Sequence, residues 1–167
     1  MRKAILLMTL LPTLAWAQNP VSDAIRSALP GRAKNITAAA EDMPTEKYSY
    51  KPTPEQRPFG GWVFHTAESN YTFCGKLGGT DAPELTAKES DPKEKLVAAL
   101  KQSFDFCSAQ LPKLQDSKLA EEVTLGKDRK VTKAALVLIL SGSWADHYGQ
   151  MATYMRLNGL LPPTAKK

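Results

Sequence analysis

The sequence predicts an all-α fold, a four-helix bundle preceded by a cleavable signal peptide. Three observations carry that expectation. Apolar residues recur at spacings of three and four through four separate stretches, turn and breaker residues fill the gaps between them, and strand-like alternation is nowhere sustained. Four amphipathic helices of similar length, each unable to hide its apolar stripe alone, must pack around a shared core.

The chain opens with Met1-Arg2-Lys3 and an apolar run over residues 4–14, about the length of a signal-peptide core and too short to span a bilayer. Ala15-Trp16-Ala17 places small residues where a signal peptidase reads, so cleavage is expected before Gln18. That divides the chain into a leader, 1–17, and one helical domain, 18–167. No cysteine adjoins the cleavage site, which gives no sign of a lipid anchor. No later stretch approaches the roughly 18 consecutive apolar residues a membrane helix needs. The expectation is a periplasmic or secreted protein with no membrane association once the leader is gone.

The first helix is expected over about 20–41, with Val21, Ile25, Leu29, Ala33, Ile36 and Ala40 on one face and a kink or brief break at Pro30-Gly31. A connector over 43–51 follows. Thr53-Pro54-Glu55-Gln56 reads as a capping box opening the second helix, although Pro58 and Gly60-Gly61 move its regular part towards Phe59. The stripe then runs through Trp62/Val63, Thr66, Asn70, Phe73/Cys74 and Leu77, and Gly78-Gly79 ends it. Asp91-Pro92-Lys93-Glu94 repeats the start signal for a third helix carrying Leu96, Leu100, Phe104, Cys107 and Leu111. Residues 113–131 read as a long connector with one helical turn at 119–123, long enough for a crossover. The fourth helix begins near Thr132 and carries Leu136, Leu140, Trp144, His147, Met151 and Tyr154/Met155, until Asn158-Gly159 and Pro162-Pro163 stop it.

The net charge of +5 falls to +3 when Arg2 and Lys3 leave with the leader. The densest basic stretch, Lys127 to Lys133, is broken by Asp128 and has no aromatic interleaving, so a nucleic-acid partner is not expected. Cys74 and Cys107 lie on the stripes of the second and third helices of an exported chain. A structural disulfide is the first expectation, with inert thiols or a redox pair as alternatives, the last weakened by the lack of Cys-x-x-Cys spacing.

Only two histidines are present. His147 lies inside its apolar stripe and turns into the bundle, whereas His65 sits at a stripe edge beside Trp62 and Ser69. Together with Trp144, Gln150 and Met151 they outline a pocket. Two imidazoles from facing helices begin a metal site, but catalytic zinc wants three protein ligands, and the candidates for the third are Glu68, Asp146, Gln150 and Ser143. The blander alternative is a hydrogen-bonded core histidine and a pocket-edge histidine with no metal. No Walker loop, dinucleotide fingerprint, Gly-x-Ser-x-Gly elbow or His-Glu-x-x-His helix occurs. The catalytic residues therefore stay open.

Met43-Pro44 with Tyr48 and Pro52, His65 followed by Asn70, and His147-Tyr148-Gly149-Gln150 leading to Tyr154-Met155-Arg156-Leu157 resemble the DinB/YfiT-like superfamily over nearly the whole mature chain. The resemblance implies a four-helix bundle, often a homodimer, with a divalent metal such as zinc, nickel or iron held by one histidine of the second helix and two of the fourth. His65 and His147 match two of those positions, and Ser143 stands where the other fourth-helix histidine is expected. Known members include thiol-dependent transferases, an isomerase and presumed hydrolases.

Two functions follow as expectations. One is an exported DinB-like protein with an incomplete metal site that binds a small molecule or has a stress-related role. The other is a metal-dependent hydrolase or transferase with His65 and His147 as ligands and Glu68 or water completing the sphere. A purely structural or partner-binding module is a third.

Overall fold

The computed structural model describes residues 18–166; the expected leader and its cleavage site before Gln18 fall outside the described residues. Four helices dominate: α1 (Pro20–Asp42), α2 (Phe59–Gly78), α3 (Lys93–Gln110) and α4 (Lys133–Leu157). α2 packs along α3 and α4, and α1 packs along the same two helices. The order around the bundle is therefore α1, α3, α2, α4, and the α1–α2 and α3–α4 connections both cross a diagonal. This is the non-sequential arrangement that the long third connector allowed. Among the described residues no helix is long and apolar enough to cross a membrane.

α1 buries Ile25, Leu29, Ile36 and Ala40 of the expected face together with Ala39, whereas Val21, in the first turn at the bundle's end, is exposed and Ala33 is half-buried. It runs unbroken through Pro30, contrary to the expected break. Pro30 is exposed, so the carbonyl that loses its partner there remains open to water. The first turn has no side-chain cap of its own. It is capped instead from a distant loop: the Asp116 carboxylate accepts from Val21 N (3.0 Å), Ser22 N (2.8 Å) and Ser22 Oγ (2.6 Å), while Asp116 N donates to Asn19 Oδ1 at 2.8 Å. The far end of α1 is closed in a similar way, with Tyr48 Oη donating to Ala40 O at 2.6 Å and Lys93 Nζ donating to Glu41 O and Met43 O at 2.7 and 2.8 Å.

The expected capping boxes take other forms. Thr53 to Gln56 is a turn, and α2 starts at Phe59 after Pro58. The opening N–H groups of α2 donate to connector carbonyls, Phe59 to Tyr50 (3.1 Å) and Gly60 to Tyr48 (2.8 Å). That close approach requires glycine at position 60, since a Cβ there would lie 3.0 Å from the Tyr48 ring. Pro92, not Asp91, precedes α3. Asp91 closes the turn before it, accepting from Lys88 N at 2.7 Å and pairing with Lys95 Nζ at 2.8 Å. Thr132 does cap α4, its hydroxyl accepting from Ala135 N at 3.2 Å.

The segment between α3 and α4 departs most from the sequence reading. In place of one helical turn it contains two 3-10 turns (Leu111–Lys113 and Asp116–Lys118) and a two-stranded antiparallel hairpin, β1 (Glu122–Leu125) with β2 (Arg129–Thr132). A three-residue loop joins the strands, with Gly126 left-handed at φ 61°. Strands of four residues are too short to register as alternation, yet Val123 and Leu125 do turn towards the core while their neighbours are exposed.

Cys74 on α2 and Cys107 on α3 form a disulfide, and both are fully buried in the main core beside Leu77, Leu100 and Phe104. Closing a loop across 33 positions restricts the unfolded chain. We expect the Cys74→Ala/Cys107→Ala double variant to lose about 2–4 kcal/mol of unfolding free energy in urea titrations. Unchanged stability would mean that helix packing alone fixes α2 on α3.

Candidate functional site

The site is built where α2 and α4 face each other. α2 presents Trp62, His65, Thr66 and Asn70 over about two turns, and α4 presents Trp144 and His147 one turn apart. Two buried hydrogen bonds fix the register between them. Trp144 Nε1 donates to Asn70 Oδ1 at 2.7 Å, and Asn70 Nδ2 donates to Ser103 Oγ on α3 at 3.0 Å. One turn away, Thr66 Oγ1 lies 3.2 Å from His147 Nδ1.

That second contact determines the tautomer of His147. Thr66 Oγ1 is also 2.7 Å from Trp62 O, and a carbonyl oxygen can only accept, so the single hydroxyl proton points there. The bond to His147 must therefore run from Nδ1–H to the Thr66 oxygen. Nε2 of the neutral ring is left unprotonated, with no partner among the described residues. His65 is arranged in the same sense: Nδ1 lies 3.2 Å from the Glu68 carboxylate, an acceptor, which leaves Nε2 of its neutral form unprotonated too.

The two imidazoles meet, with ring centres 5.0 Å apart and planes tilted by 49°. Trp62 forms the adjoining wall, 5.5 Å from His147 and 6.3 Å from His65, and the Arg57 guanidinium lies over the Trp62 ring at 5.5 Å. His147 is 5% exposed while the His65 side chain is 32% exposed, an inner and an outer ring as the stripe positions predicted. Burial, the neighbouring His65 ring and the Arg57 charge push the His147 pKa down from 6.5 to about 4, against the opposing pull of Asp146. His147 is thus a neutral hydrogen-bond acceptor at neutral pH.

A shared metal imposes a simple geometric test. With a metal–nitrogen bond of about 2.1 Å and bond angles of about 90–110°, two ligand rings have centres about 4.5–5.2 Å apart. The 5.0 Å separation passes. The donor count does not: among the described residues no group of three or more His, Cys, Asp or Glu is placed to hold an ion. Glu68, the candidate third ligand, is engaged behind His65 at Nδ1, where it orients the ring. Ser143 is half-buried one turn before His147 and offers only a hydroxyl. The residues present therefore fall one ligand short of a three-histidine metal centre.

Of the expected pocket residues, Trp62 joins the histidines. Trp144 is turned to Asn70, Met151 is in the core, Ser69 is buried on α2, and Gln150 is half-buried on α4. Sequence reasoning missed the roles of Thr66, Asn70 and Arg57. Two polar residues on an otherwise apolar stripe were the available signal for the first two, because buried polar groups need partners. Arg57 carried no such signal, since it precedes the helix and reaches the site by folding back onto Trp62.

The depressed pKa has a defined consequence for stability. Between pH 6.5 and about 4 the unfolded chain binds a proton at His147 that the folded chain refuses, so this group costs stability as the pH falls through that window. Unfolding free energies measured from pH 7 to 5 should fall less steeply in His147→Gln than in the wild type. Parallel curves would show that His147 is not buried in neutral form.

The DinB superfamily profile matches residues 30–151. None of the curated proteins matches the chain. A DinB-like protein of Bacillus subtilis shares the fold with a TM-score of 0.69 and 23% identity, over 86% of this chain and 99% of its own. A DinB-like protein of Bacillus cereus gives 0.68 and 16% over 84% and 95%, and a conserved protein of Enterococcus faecalis gives 0.63 and 15% over 82% and 96%. At these identities the structures speak to the fold alone, and the family assignment rests on the profile: the chain belongs to the DinB superfamily.

Proposed function

We propose that this protein is an exported member of the superfamily whose two-histidine site binds a small molecule without a resident metal. The observation that carries this reading is the pair of converged imidazoles, each engaged through Nδ1, with no third ionic donor among the described residues. Two nitrogen ligands hold a divalent ion far less tightly than three, and the lost ligand also removes the open-site geometry that activates water. Two acceptors on a half-open wall, beside an indole and a guanidinium, are suited to hydrogen-bonding a compact polar ligand.

Export is part of the proposal. A buried disulfide is a feature of oxidising compartments, which agrees with the leader-like residues 1–17 and with a periplasmic or secreted location. A stress-associated role fits that setting.

A second reading, a metal-dependent hydrolase or transferase, is favoured by the ring spacing and by the groups buttressing both Nδ1 atoms, which is how metal-binding imidazoles are usually oriented. Metal analysis of untagged protein separates the two. We expect less than stoichiometric metal and no change in melting temperature with added zinc or nickel. Ser143→His, which supplies the missing donor, should gain about 5–10 °C under saturating metal. Near-stoichiometric metal in the wild type that disappears in His147→Ala would establish the second reading instead.

A further inference from the structure

The ligand class can be narrowed from the groups beside the imidazoles, taking the small-molecule reading of the site as its basis. Arg57 is a half-buried cation with no carboxylate within ion-pair distance among the described residues. Among the described residues the guanidinium's only hydrogen bond is a long one, Nη1 to Gly61 O at 3.3 Å. The guanidinium is held instead by the face of Trp62, the ring that adjoins both histidines. Gly61 makes this placement feasible, since a Cβ there would fall 2.6 Å from Arg57 Cγ.

The second observation concerns Trp62 itself. Its Nε1–H is the one fully buried side-chain nitrogen or oxygen among the described residues with no hydrogen-bond partner. Most buried polar groups are paired, and an orphaned donor carries a desolvation penalty that an incoming acceptor would remove. The guanidinium thus lies over the ring whose N–H is unpaired, and that same ring adjoins both imidazoles. The donors call for an anionic oxygen pair, while the imidazoles call for a hydroxyl.

We infer that the site takes a small hydroxycarboxylic acid, its carboxylate held by Arg57 and the Trp62 N–H and its hydroxyl donated to His65 or His147. A planar guanidinium matches a carboxylate in two parallel bonds. A phosphate dianion fits less well, because Arg57 is a single cation and three carboxylates, Glu68, Glu89 and Asp146, are near the site. Glu89 lies beside the aliphatic stem of Arg57 at Gly61 and forms no ion pair among the described residues. Ligand binding would draw the guanidinium from the ring face towards the carboxylate and expose the buried N–H to it.

The test uses lactate as the probe and the indole resonances as the readout. Of the three tryptophans, only Trp62 and Trp144 lie in the described domain, and the Trp144 N–H is already committed to Asn70. In proton–nitrogen correlation spectra, lactate should move the Trp62 indole signal and leave that of Trp144 in place. Arg57→Gln should weaken the apparent Kd about ten- to a hundredfold, with Arg57→Lys in between as the variant that keeps the charge and loses the fork. Propionate should bind more weakly than lactate for want of the hydroxyl. The inference is overturned if lactate leaves the Trp62 signal unmoved, if Arg57→Gln binds lactate as well as the wild type, or if inorganic phosphate binds more tightly than lactate. 1,2-Propanediol, which is lactate without the carboxylate, separates the two levels of the argument. If it moves the His147 ring signals as strongly as lactate does, the carboxylate assignment falls and the small-molecule site stands; if neither compound moves either ring, both fall.

Discussion

The hydrogen bond between Thr66 and His147 is the contact on which the site depends. The Thr66 hydroxyl donates to the carbonyl of Trp62, so its oxygen has only acceptance to offer, and the imidazole must bring its Nδ1 proton. One bond thereby sets the register of α4 against α2, the tautomer of the inner histidine and the availability of its other nitrogen. The Trp144–Asn70–Ser103 relay performs the mechanical part of this task one turn away and extends it to α3. Because these groups are fully enclosed, breaking one bond leaves its partner unsatisfied in a low-dielectric interior, which penalises any slippage of the helices.

Around that axis the bundle satisfies its helix ends from distant parts of the chain. Asp116 closes the start of α1, Tyr48 and Lys93 close its end, and connector carbonyls receive the first N–H groups of α2. Three hydrogen bonds and nearby Arg26 hold the Asp116 carboxyl below the usual carboxylate range despite the opposing effect of partial burial. The diagonal crossings make such caps available, since each connector runs past the ends of helices it does not join. The disulfide adds a covalent tie between α2 and α3, so the helix that carries His65 is fixed on both of its packed sides.

The bundle was legible in the sequence because helical periodicity is repeated over many residues. All four helices lie close to their expected positions, and the stripes named Ile25, Leu29, Leu96, Leu100, Leu136 and Leu140 correctly as core. The hairpin was not legible, since two strands of four residues contain too few alternations to outweigh a general expectation of helix. The capping boxes failed for a different reason: Thr53 and Asp91 carry the right side chains, but Pro58 and Pro92 fix where the helical backbone begins. At the site, helical geometry placed both histidines correctly, one inside and one at the edge. It did not find Arg57, whose position depends on a folded-back stem, nor the donor and acceptor roles, which depend on distances between helices.

The chemistry of the site rests on where one proton resides. Long-range proton–nitrogen correlation of the imidazole rings at pH 7 reads that directly. The structure predicts His147 in the form protonated at Nδ1, with an Nε2 shift typical of an unprotonated nitrogen. A ring protonated at Nε2 would aim its lone pair at Thr66, remove the inner acceptor from the site and contradict the functional reading built on it.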